Sequence, residues 1–306
     1  PLFWIEDKNK DGALDPDELA VYWGLDKSVT RADFVSGASF TPKMTAAYDA
    51  IVKQKDVKET DARRAAVKKE LEQGRVTLVA TDLSKAPLAE KKFVTAIVKA
   101  SEMIEALYAK QQGTTELAAK VPKDDPASKT LFFRGQGVKC EAPLTQNDKN
   151  CGALNLADMP KGKVSGLYPA GVFETKPKFC DDLTKSAKNE KDKLLVDPFT
   201  VVQADKTAYA AVPYTQVYHD DMAAIAAQLK TAADALDGAN EPALVAYLQA
   251  ASKAFGDNQW WPADEAWAKM DAKNSKYYLR IGPDEVYDEP CSTKALFHVS
   301  FGLINQ

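Results

Sequence analysis

The first residues in this chain that could do chemistry form a twelve-residue stretch, DKNKDGALDPDE, at 7–18. A calcium loop of the EF-hand type needs oxygen ligands at positions 1, 3, 5, 7, 9 and 12 and a glycine at position 6. Gly12 occupies position 6, and every ligand position carries an oxygen donor. The alternative is an Asp-rich turn that binds no metal. The predicted calcium ligands are Asp7, Asn9, Asp11, the backbone carbonyl of Ala13, Asp15 and Glu18.

The segments on either side of this loop are predicted to differ. Residues 1–6 are too short for a full entering helix, whereas DELAVYWGL predicts a short exiting helix that ends at Gly24. A second Asn/Asp-rich stretch, NDKNCGALN, places Lys149 and Cys151 at ligand positions, so it is not a second calcium loop. With a single loop, the predicted role of calcium is to stabilise the structure rather than to switch it.

The four cysteines are Cys140, Cys151, Cys180 and Cys291. The first two enclose a short polar loop without C-x-x-C spacing or a partner histidine, which favours a local disulfide over a metal site. Three pairings are possible, and we favour 140–151 with 180–291; four reduced, buried thiols are the alternative. Disulfides and calcium both indicate an extracytoplasmic protein, either periplasmic or secreted.

Composition restricts the class of protein. The chain of 306 residues is 45% hydrophobic and 27% charged, which is typical of a globular protein. Its net charge of −4 argues against nucleic acid as a partner, because phosphate binding requires a basic stripe. No stretch approaches the ~18 consecutive apolar residues of a membrane span.

Apolar periodicity predicts helices at 42–55, 59–73 and 88–111, with a strand at RVTLVATDL before the third helix. Short apolar runs such as TLFFRG, separated by Pro, Gly, Lys and Asp, predict a loop-rich region with short strands over 114–213. From Tyr214 onward, two antiparallel helices are predicted, followed by a packed aromatic corner at QWWPADEAWAKM and two strands.

The expected fold class is therefore α+β, mostly helical, with a small mixed or antiparallel sheet and a long loop-rich middle region. The predicted organisation is an EF-hand-like calcium-binding segment at 1–24, a helical region at 25–113, a loop-rich region with disulfides at 114–213, and a helical pair plus strands at 214–306.

An acidic crossover joins the last two predicted strands, within IGPDEVYDEPCSTKALFHVSFGLIN at 281–305. This stretch is similar, without a gap, to the Ile-Gly-x-x-Glu-x-Tyr-x-Asp-Pro-x-x-x-Arg-x-x-Phe-Glu segment of the dipeptidyl peptidase III family of zinc exopeptidases. Glu289 and Lys294 replace that family's Asp and Arg, and His298 stands where a carboxylate is usual. Residues 214–280 resemble the family more loosely, so the likeness covers about a third of the chain. The coinciding residues are Ile281, Gly282, Glu285, Tyr287, Pro290, Phe297 and Asn305.

The resemblance implies that Glu285 and Tyr287 hold the free N-terminus of a peptide substrate, with the carboxylate paired to the ammonium. It also implies a zinc ion, held in that family by a His-Glu-x-x-Gly-His helix and a further Glu. The chain has only two histidines, His219 and His298, and neither lies in such a spacing. No G-x-S-x-G elbow for a serine nucleophile is present either. His219 is predicted to be a helix-cap residue.

No catalytic residue is therefore predicted within 1–306. Because Gln306 directly follows a predicted strand, the zinc helix is expected in a C-terminal continuation or a second chain. The hypothesis is the substrate-binding N-terminal portion of an extracytoplasmic, calcium-stabilised zinc peptidase. The alternative is a non-catalytic calcium-binding structural or peptide-binding protein of the same fold.

Overall fold

The structure is a computed structural model that describes residues 2–4, 9–21, 30–55, 58–74, 81, 83–206, 208–236 and 240–304. For 2–4, 20–21, 54–55 and 191, only the backbone is described. The chain divides into two compact units. One comprises Pro1–Ala80 with Val121–Met159, and the other comprises Thr81–Lys120 with Pro160–Gln306.

Helices dominate both units. The described α-helices are α1 (Pro42–Lys55), α2 (Ala62–Glu72), α3 (Leu88–Gln112), α4 (Pro126–Gly135), α5 (Val172–Thr175), α6 (Phe179–Ser186), α7 (Glu190–Lys193), α8 (Tyr214–Val217), α9 (His219–Ala235), α10 (Pro242–Asp257) and α11 (Trp261–Ala268). Short 3₁₀ turns occur at Arg31–Asp33, Ala118–Lys120, Leu156–Asp158 and Leu194–Val196.

The strands form four two-stranded antiparallel sheets, each a pair of neighbours in the chain. They are β1 (Leu2–Trp4) with β2 (Leu19–Val21), β3 (Val35–Ser36) with β4 (Ser39–Phe40), β5 (Thr200–Asp205) with β6 (Ala208–Pro213), and β7 (Tyr277–Glu285) with β8 (Leu296–Leu303). The predicted α+β class, mostly helical with small antiparallel sheets, is confirmed.

Local sequence explains where the predicted helices begin and end. Helix α1 has the predicted bounds. Helix α2 begins a few residues later than predicted because the side chain of Asp61 accepts a hydrogen bond from the Arg64 N–H at 2.8 Å and caps it. Helix α3 ends where Gly113 adopts a left-handed conformation with φ of 69°, a geometry that glycine adopts without a steric penalty.

The segment after the predicted calcium loop is a strand in its described part, so the predicted exiting helix is wrong. Leu19–Val21 pair with Leu2–Trp4, and the loop therefore connects two arms of a hairpin. One or two helical turns are marginal on their own, whereas pairing with the other arm satisfies backbone groups of both. Leu19 is 2% exposed and packs with Phe34 and Met44.

Two further sequence predictions have different outcomes. TLFFRG, expected in a loop or a short strand, lies in helix α4, because Pro126 suits its first turn and the Asp125 side chain caps the Ser128 N–H at 3.2 Å. The strand predicted at RVTLVATDL lies almost entirely outside the described residues.

Both favoured disulfides are present. Cys140 bonds to Cys151 within the first unit, and Cys180 bonds to Cys291 within the second. The pairing preferred from the sequence is therefore confirmed, and the alternative of four free thiols is wrong. None of the described helices combines the length and apolarity that a membrane span requires.

The core of the second unit is built on α3, α9 and α10, against which the β7–β8 hairpin packs. Trp260 is 5% exposed and lies edge-on to Phe255 and Phe297, with ring centroids 5.0 and 5.6 Å away. The predicted aromatic corner is thus packed, although its neighbour Trp261 is 73% exposed. This core gives the hairpin a rigid support.

Candidate functional site

The acidic crossover, residues 286–295, connects β7 to β8. The two strands stay in register from Tyr277, opposite Leu303, up to Pro283, opposite Phe297. A bulge between Pro283 and Glu285 then shifts the register, and Glu285 lies opposite Leu296. The bulge leaves Asp284 as an extra residue, which changes the direction of the chain at the entrance to the crossover.

Glu289 anchors the crossover from within. It is 4% exposed, and its Oε2 accepts hydrogen bonds from the Tyr168 hydroxyl at 2.8 Å and the Cys291 N–H at 2.9 Å. Its Oε1 accepts from the N–H groups of Thr293 and Lys294. A buried carboxylate with four donors is well satisfied, so Glu289 shapes the loop and does not face a ligand.

Two further ties hold the same loop. Lys294 is fully buried, and its Nζ donates to the Asp197 carbonyl at 2.7 Å and to Thr200 Oγ1 at 2.8 Å. Burial lowers the pKa of Lys294 to about 8. The Cys180–Cys291 bond adds a covalent tie. The crossover is therefore fixed at several points and presents its remaining side chains in defined positions.

Asp284 belongs to an ion-pair network on β7. Arg280 donates to Asp284 from Nε at 2.6 Å and to Asp264 from Nη2 at 2.7 Å, and its guanidinium lies 5.0 Å from the centroid of the Trp267 ring. Burial alone would lower the pKa of Arg280, but hydrogen bonds to the two aspartates outweigh it and raise that pKa. His298 Nε2 lies 3.3 Å from Asp284. The negative charge of Asp284 is thus balanced by the guanidinium of Arg280, and the imidazole of His298 is a further neighbour.

A groove of about 270 Å³ lies where one face of α3 meets β8 and the acidic crossover. Among the described residues that line it are three carboxylates and no lysine or arginine. The acidic residues are Glu105, Glu285 and Asp288, the other polar ones are Ser101, Tyr108 and His298, and the apolar ones are Ile104, Leu296, Phe297 and Val299. An acidic groove with an apolar floor can receive a cation attached to an apolar body.

Of the two residues implied to bind substrate, only Glu285 lines this groove. Its side chain is exposed at the end of β7, where a ligand can reach it. Tyr287 is 68% exposed and lies beside it, since the negative charge of Glu285 is the main cause that raises the pKa of Tyr287. The structure thus brings the two side chains near each other, and Glu285 is the one that lines the groove.

Sequence reasoning missed the contribution of α3. Ser101, Ile104, Glu105 and Tyr108 follow the helical spacing of three and four residues and lie on one face. The apolar stripe of α3 was predictable. The sequence did not indicate that Glu105, at the edge of this stripe, would lie near the crossover. Asp288 was visible as part of the acidic crossover without a role assigned to it.

The described part of the predicted calcium loop keeps several features of such loops. Gly12 has φ of 77°, as the turn at position 6 requires. The Asn9 amide donates to Asp11 at 3.0 Å and to Asp15 at 2.7 Å, so these three polar side chains face one another. Asp7 lies outside the described residues.

The other end of this loop is held by Glu18. It is 1% exposed, and its Oε2 accepts a hydrogen bond from the Asp15 N–H at 3.0 Å. Ala13 donates its N–H to Asp11 at 2.8 Å. Within the described residues the loop carboxylates do not converge within reach of one ion, so calcium binding here stays a prediction.

The residues described do not fit the zinc site that the resemblance implies. His219 begins α9 at the surface, where its Nδ1 lies 2.9 Å from Asp220, as expected of a helix-terminal residue. His298 has Asp284 as its neighbour. In the described part of the chain, the only group of three His, Cys, Asp or Glu residues within reach of one ion contains no histidine.

Comparisons with known proteins show a likeness in fold to solved structures. No protein-family model matches the chain. Among curated proteins, Nudix hydrolase 3 of Arabidopsis thaliana is 22% identical in an alignment of 302 residues; the match covers 83% of this chain and 38% of the relative. Among solved structures, dipeptidyl peptidase III from Caldithrix abyssi has a TM-score of 0.60, with 22% identity over 78% of this chain and 44% of the other. Dipeptidyl-peptidase III from Corallococcus sp. strain EGB has a TM-score of 0.63, with 22% identity over 79% and 44%.

The chain therefore spans less than half the length of these relatives. The structural likeness extends over far more of the chain than the third on which the sequence resemblance relied. The chain has a fold in common with the dipeptidyl peptidase III structures.

Proposed function

We propose that this chain is the substrate-binding portion of an extracytoplasmic peptidase related to dipeptidyl peptidase III, and that it captures the free N-terminus of a peptide. The observation that carries the proposal is the position of Glu285. It is the glutamate of the matching motif, and it lines a groove whose described charged residues are all acidic.

The physical reasoning starts from the charge of the ligand. A peptide N-terminus is an ammonium with three N–H donors, and a charge-assisted bond to a carboxylate contributes roughly 1.5–3 kcal/mol. Glu285 supplies that acceptor, while Glu105 and Asp288 add further carboxylates to the groove lining. Val299, which is partly exposed, offers apolar surface to the first side chains. A fixed amine sets the position from which residues of the substrate are counted.

The zinc-dependent step belongs, in this proposal, to a part of the protein outside these 306 residues. The comparison proteins are more than twice as long as the matching region, which supports such a division. The disulfides support an oxidising compartment. Calcium at the 7–18 loop is proposed to stabilise the N-terminal hairpin.

The alternative function is a non-catalytic protein that retains the fold and binds calcium or peptides. The replacement of the family's carboxylate by His298 favours this alternative, because it changes the charge of the groove lining. If the groove binds a ligand, both functions predict that it captures a peptide amine. They differ in whether the complete protein hydrolyses the peptide.

The experiment is a pair of binding measurements on residues 1–306. Calorimetry should show that an unblocked pentapeptide of apolar residues binds at least tenfold more tightly than its N-acetylated copy. Neither peptide should be hydrolysed by this chain alone, with or without added zinc, because it lacks the ligand set. Equal affinity for the two peptides would remove the amine-capture proposal, and zinc-dependent cleavage by this chain would show that residues 1–306 do form a zinc site.

A further inference from the structure

His298 lies in the groove lining at the position where the dipeptidyl peptidase III segment usually has a carboxylate. Its side chain is 32% exposed, and it shares the groove with the proposed amine anchor, Glu285. An ordinary carboxylate is negative throughout the neutral range, whereas imidazole changes its charge between about pH 5 and pH 8. The replacement therefore gives this position in the groove a charge that depends on pH.

Asp284 determines which nitrogen of the neutral His298 ring carries the proton. The Nε2 atom lies 3.3 Å from Oδ2 of Asp284. A carboxylate accepts hydrogen bonds and does not donate them, so the neutral ring carries its proton on Nε2 and leaves Nδ1 as a bare acceptor. Asp284 is held in turn by Arg280, whose Nε donates to it at 2.6 Å. The ring thus has a fixed neighbour on the β7 side.

The other ring nitrogen of His298, Nδ1, is shielded from solvent and has no hydrogen-bond partner among the described residues. Buried polar groups are normally hydrogen-bonded, and an unpaired charged donor costs more than an unpaired neutral acceptor. A proton on Nδ1 would create such a charged donor. The observed position of the ring therefore suits the neutral imidazole and not the protonated one.

The described titratable and charged groups around His298 belong to the ion-pair network or to the groove lining. They are Asp284, Arg280 and Glu285 on β7, Asp264 beyond Arg280, Asp288 on the crossover, and Glu105 and Tyr108 on α3. Arg280 already balances Asp284. A proton on His298 thus adds a positive charge that the groove carboxylates must balance.

We propose that His298 determines when the groove accepts an amine, a role that rests on the amine capture proposed above. The neutral ring leaves the groove carboxylates to the ammonium of a free-amine peptide. The protonated ring has a donor at Nδ1 without an acceptor in its present position, so it turns toward Glu285 and Asp288 and competes for them. Two cations in one groove also repel each other. The peptide is therefore held at neutral pH and released on acidification.

The pH range of this effect follows from the ordinary chemistry of the groups. An α-amino group has an ordinary pKa of about 7.7–8.0, and a carboxyl group one of about 4. Between about pH 7 and about pH 5.5, ordinary groups of both kinds keep their charges, so imidazole is the group whose charge changes. Binding of the ammonium in this range releases a proton from the ring, and affinity falls as the pH falls.

The test is calorimetry on residues 1–306 with an unblocked apolar pentapeptide and its N-acetylated copy. Affinities are measured at about pH 7 and about pH 5.5, where wild type should lose at least about threefold in affinity for the free-amine peptide. His298→Gln, which cannot take up the proton, should keep its affinity. The matched control is His219→Gln, at an exposed histidine outside the described groove lining, which should behave as wild type does. The acetylated peptide should show no such dependence on pH.

Nuclear magnetic resonance of the imidazole rings gives a second readout, because the chain has only two histidines, His219 and His298. By the reciprocity of linked binding, the free-amine peptide should lower the pH at which the His298 ring gains its proton. It should not affect His219, and the acetylated peptide should affect neither ring.

The outcomes separate this role from amine capture itself. A preference for the free amine with the same pH profile in wild type and His298→Gln would overturn the role of His298 and leave amine capture intact. No preference for the free amine at either pH would remove amine capture and the role of His298 with it. If circular dichroism shows that His298→Gln is unfolded, His298→Glu takes its place. That variant restores the carboxylate and should bind the free-amine peptide equally well at both pH values; a loss as large as that of wild type would overturn the proposal.

Discussion

Replacing Glu289 by glutamine should destabilise the second unit strongly although the two side chains have nearly the same size. The carboxylate accepts four hydrogen bonds, two at each oxygen. A glutamine retains one oxygen, and its NH₂ group faces two donors at the other position. The Tyr168 hydroxyl can turn to accept instead, because Thr293 Oγ1 lies 3.0 Å from it, which leaves the Cys291 N–H without an acceptor. One buried unpaired donor costs about 1–3 kcal/mol, and the loss of charge weakens the remaining bonds. The expected total is roughly 2–4 kcal/mol.

Urea unfolding of the oxidised protein measures this free energy. The matched control is Glu285→Gln, which makes the same chemical change on the same hairpin but at an exposed side chain. It should change the free energy of unfolding by less than about 0.5 kcal/mol. Hydrogen exchange gives a local readout, since the amides of residues 291, 293 and 294 should exchange faster in the Glu289 variant. Equal stability of the two variants would refute the structural role assigned to Glu289.

Three further predictions concern stability. Calcium at about 100 times its dissociation constant should add roughly 2.7 kcal/mol to the free energy of unfolding. Thermal melts with calcium and with a chelator should show this gain. Asp15→Asn should abolish the gain, whereas Asp17→Asn, at a loop position that is not a predicted ligand, should not. Lys294 has a folded pKa of about 8 against an ordinary value of 10.5, so its buried charge destabilises the fold below pH 8, and stability should rise by up to roughly 3 kcal/mol between pH 8 and 10.5. In urea titrations at matched pH, Lys294→Met should not show that rise in stability. Parallel profiles of stability against pH for the two proteins would show that Lys294 does not cause the rise. The Cys180–Cys291 bond closes a loop of 111 residues and the Cys140–Cys151 bond a loop of 11. Chain entropy predicts that replacing each pair by serine lowers the free energy of unfolding by about 5 and about 3 kcal/mol, respectively. A larger loss for the Cys140–Cys151 pair would contradict this entropic account.

Elements with a strong local signal were predictable. The apolar stripe of α3 and its terminal Gly113 specify a long helix whatever the helix packs against. The compact spacing of Cys140 and Cys151 favoured a local disulfide. In these cases neighbouring residues carry most of the information.

Features that depend on distant partners were not predictable. Leu19–Val21 can form a helical turn or a strand, and pairing with Leu2–Trp4 decides between them. Glu285 and Glu289 look alike in the sequence, yet Tyr168, more than a hundred residues away, makes Glu289 a buried structural carboxylate. The groove likewise requires Glu105 from α3. Tertiary contacts determine these roles, and the roles cannot be identified from a single sequence.

A double comparison tests whether Glu285 receives a peptide ammonium. Affinities of a free-amine peptide and its N-acetylated copy are measured by calorimetry on the wild type, on Glu285→Gln and on Glu265→Gln, an exposed glutamate outside the described groove lining. Glu285→Gln should weaken binding of the free-amine peptide by about 1.5–3 kcal/mol, the scale of a charge-assisted hydrogen bond, and should leave the acetylated peptide nearly unchanged. Tyr287→Phe should have a smaller effect in the same direction. Equal losses for both peptides, or no loss for either, would contradict the assignment of Glu285 as the amine anchor.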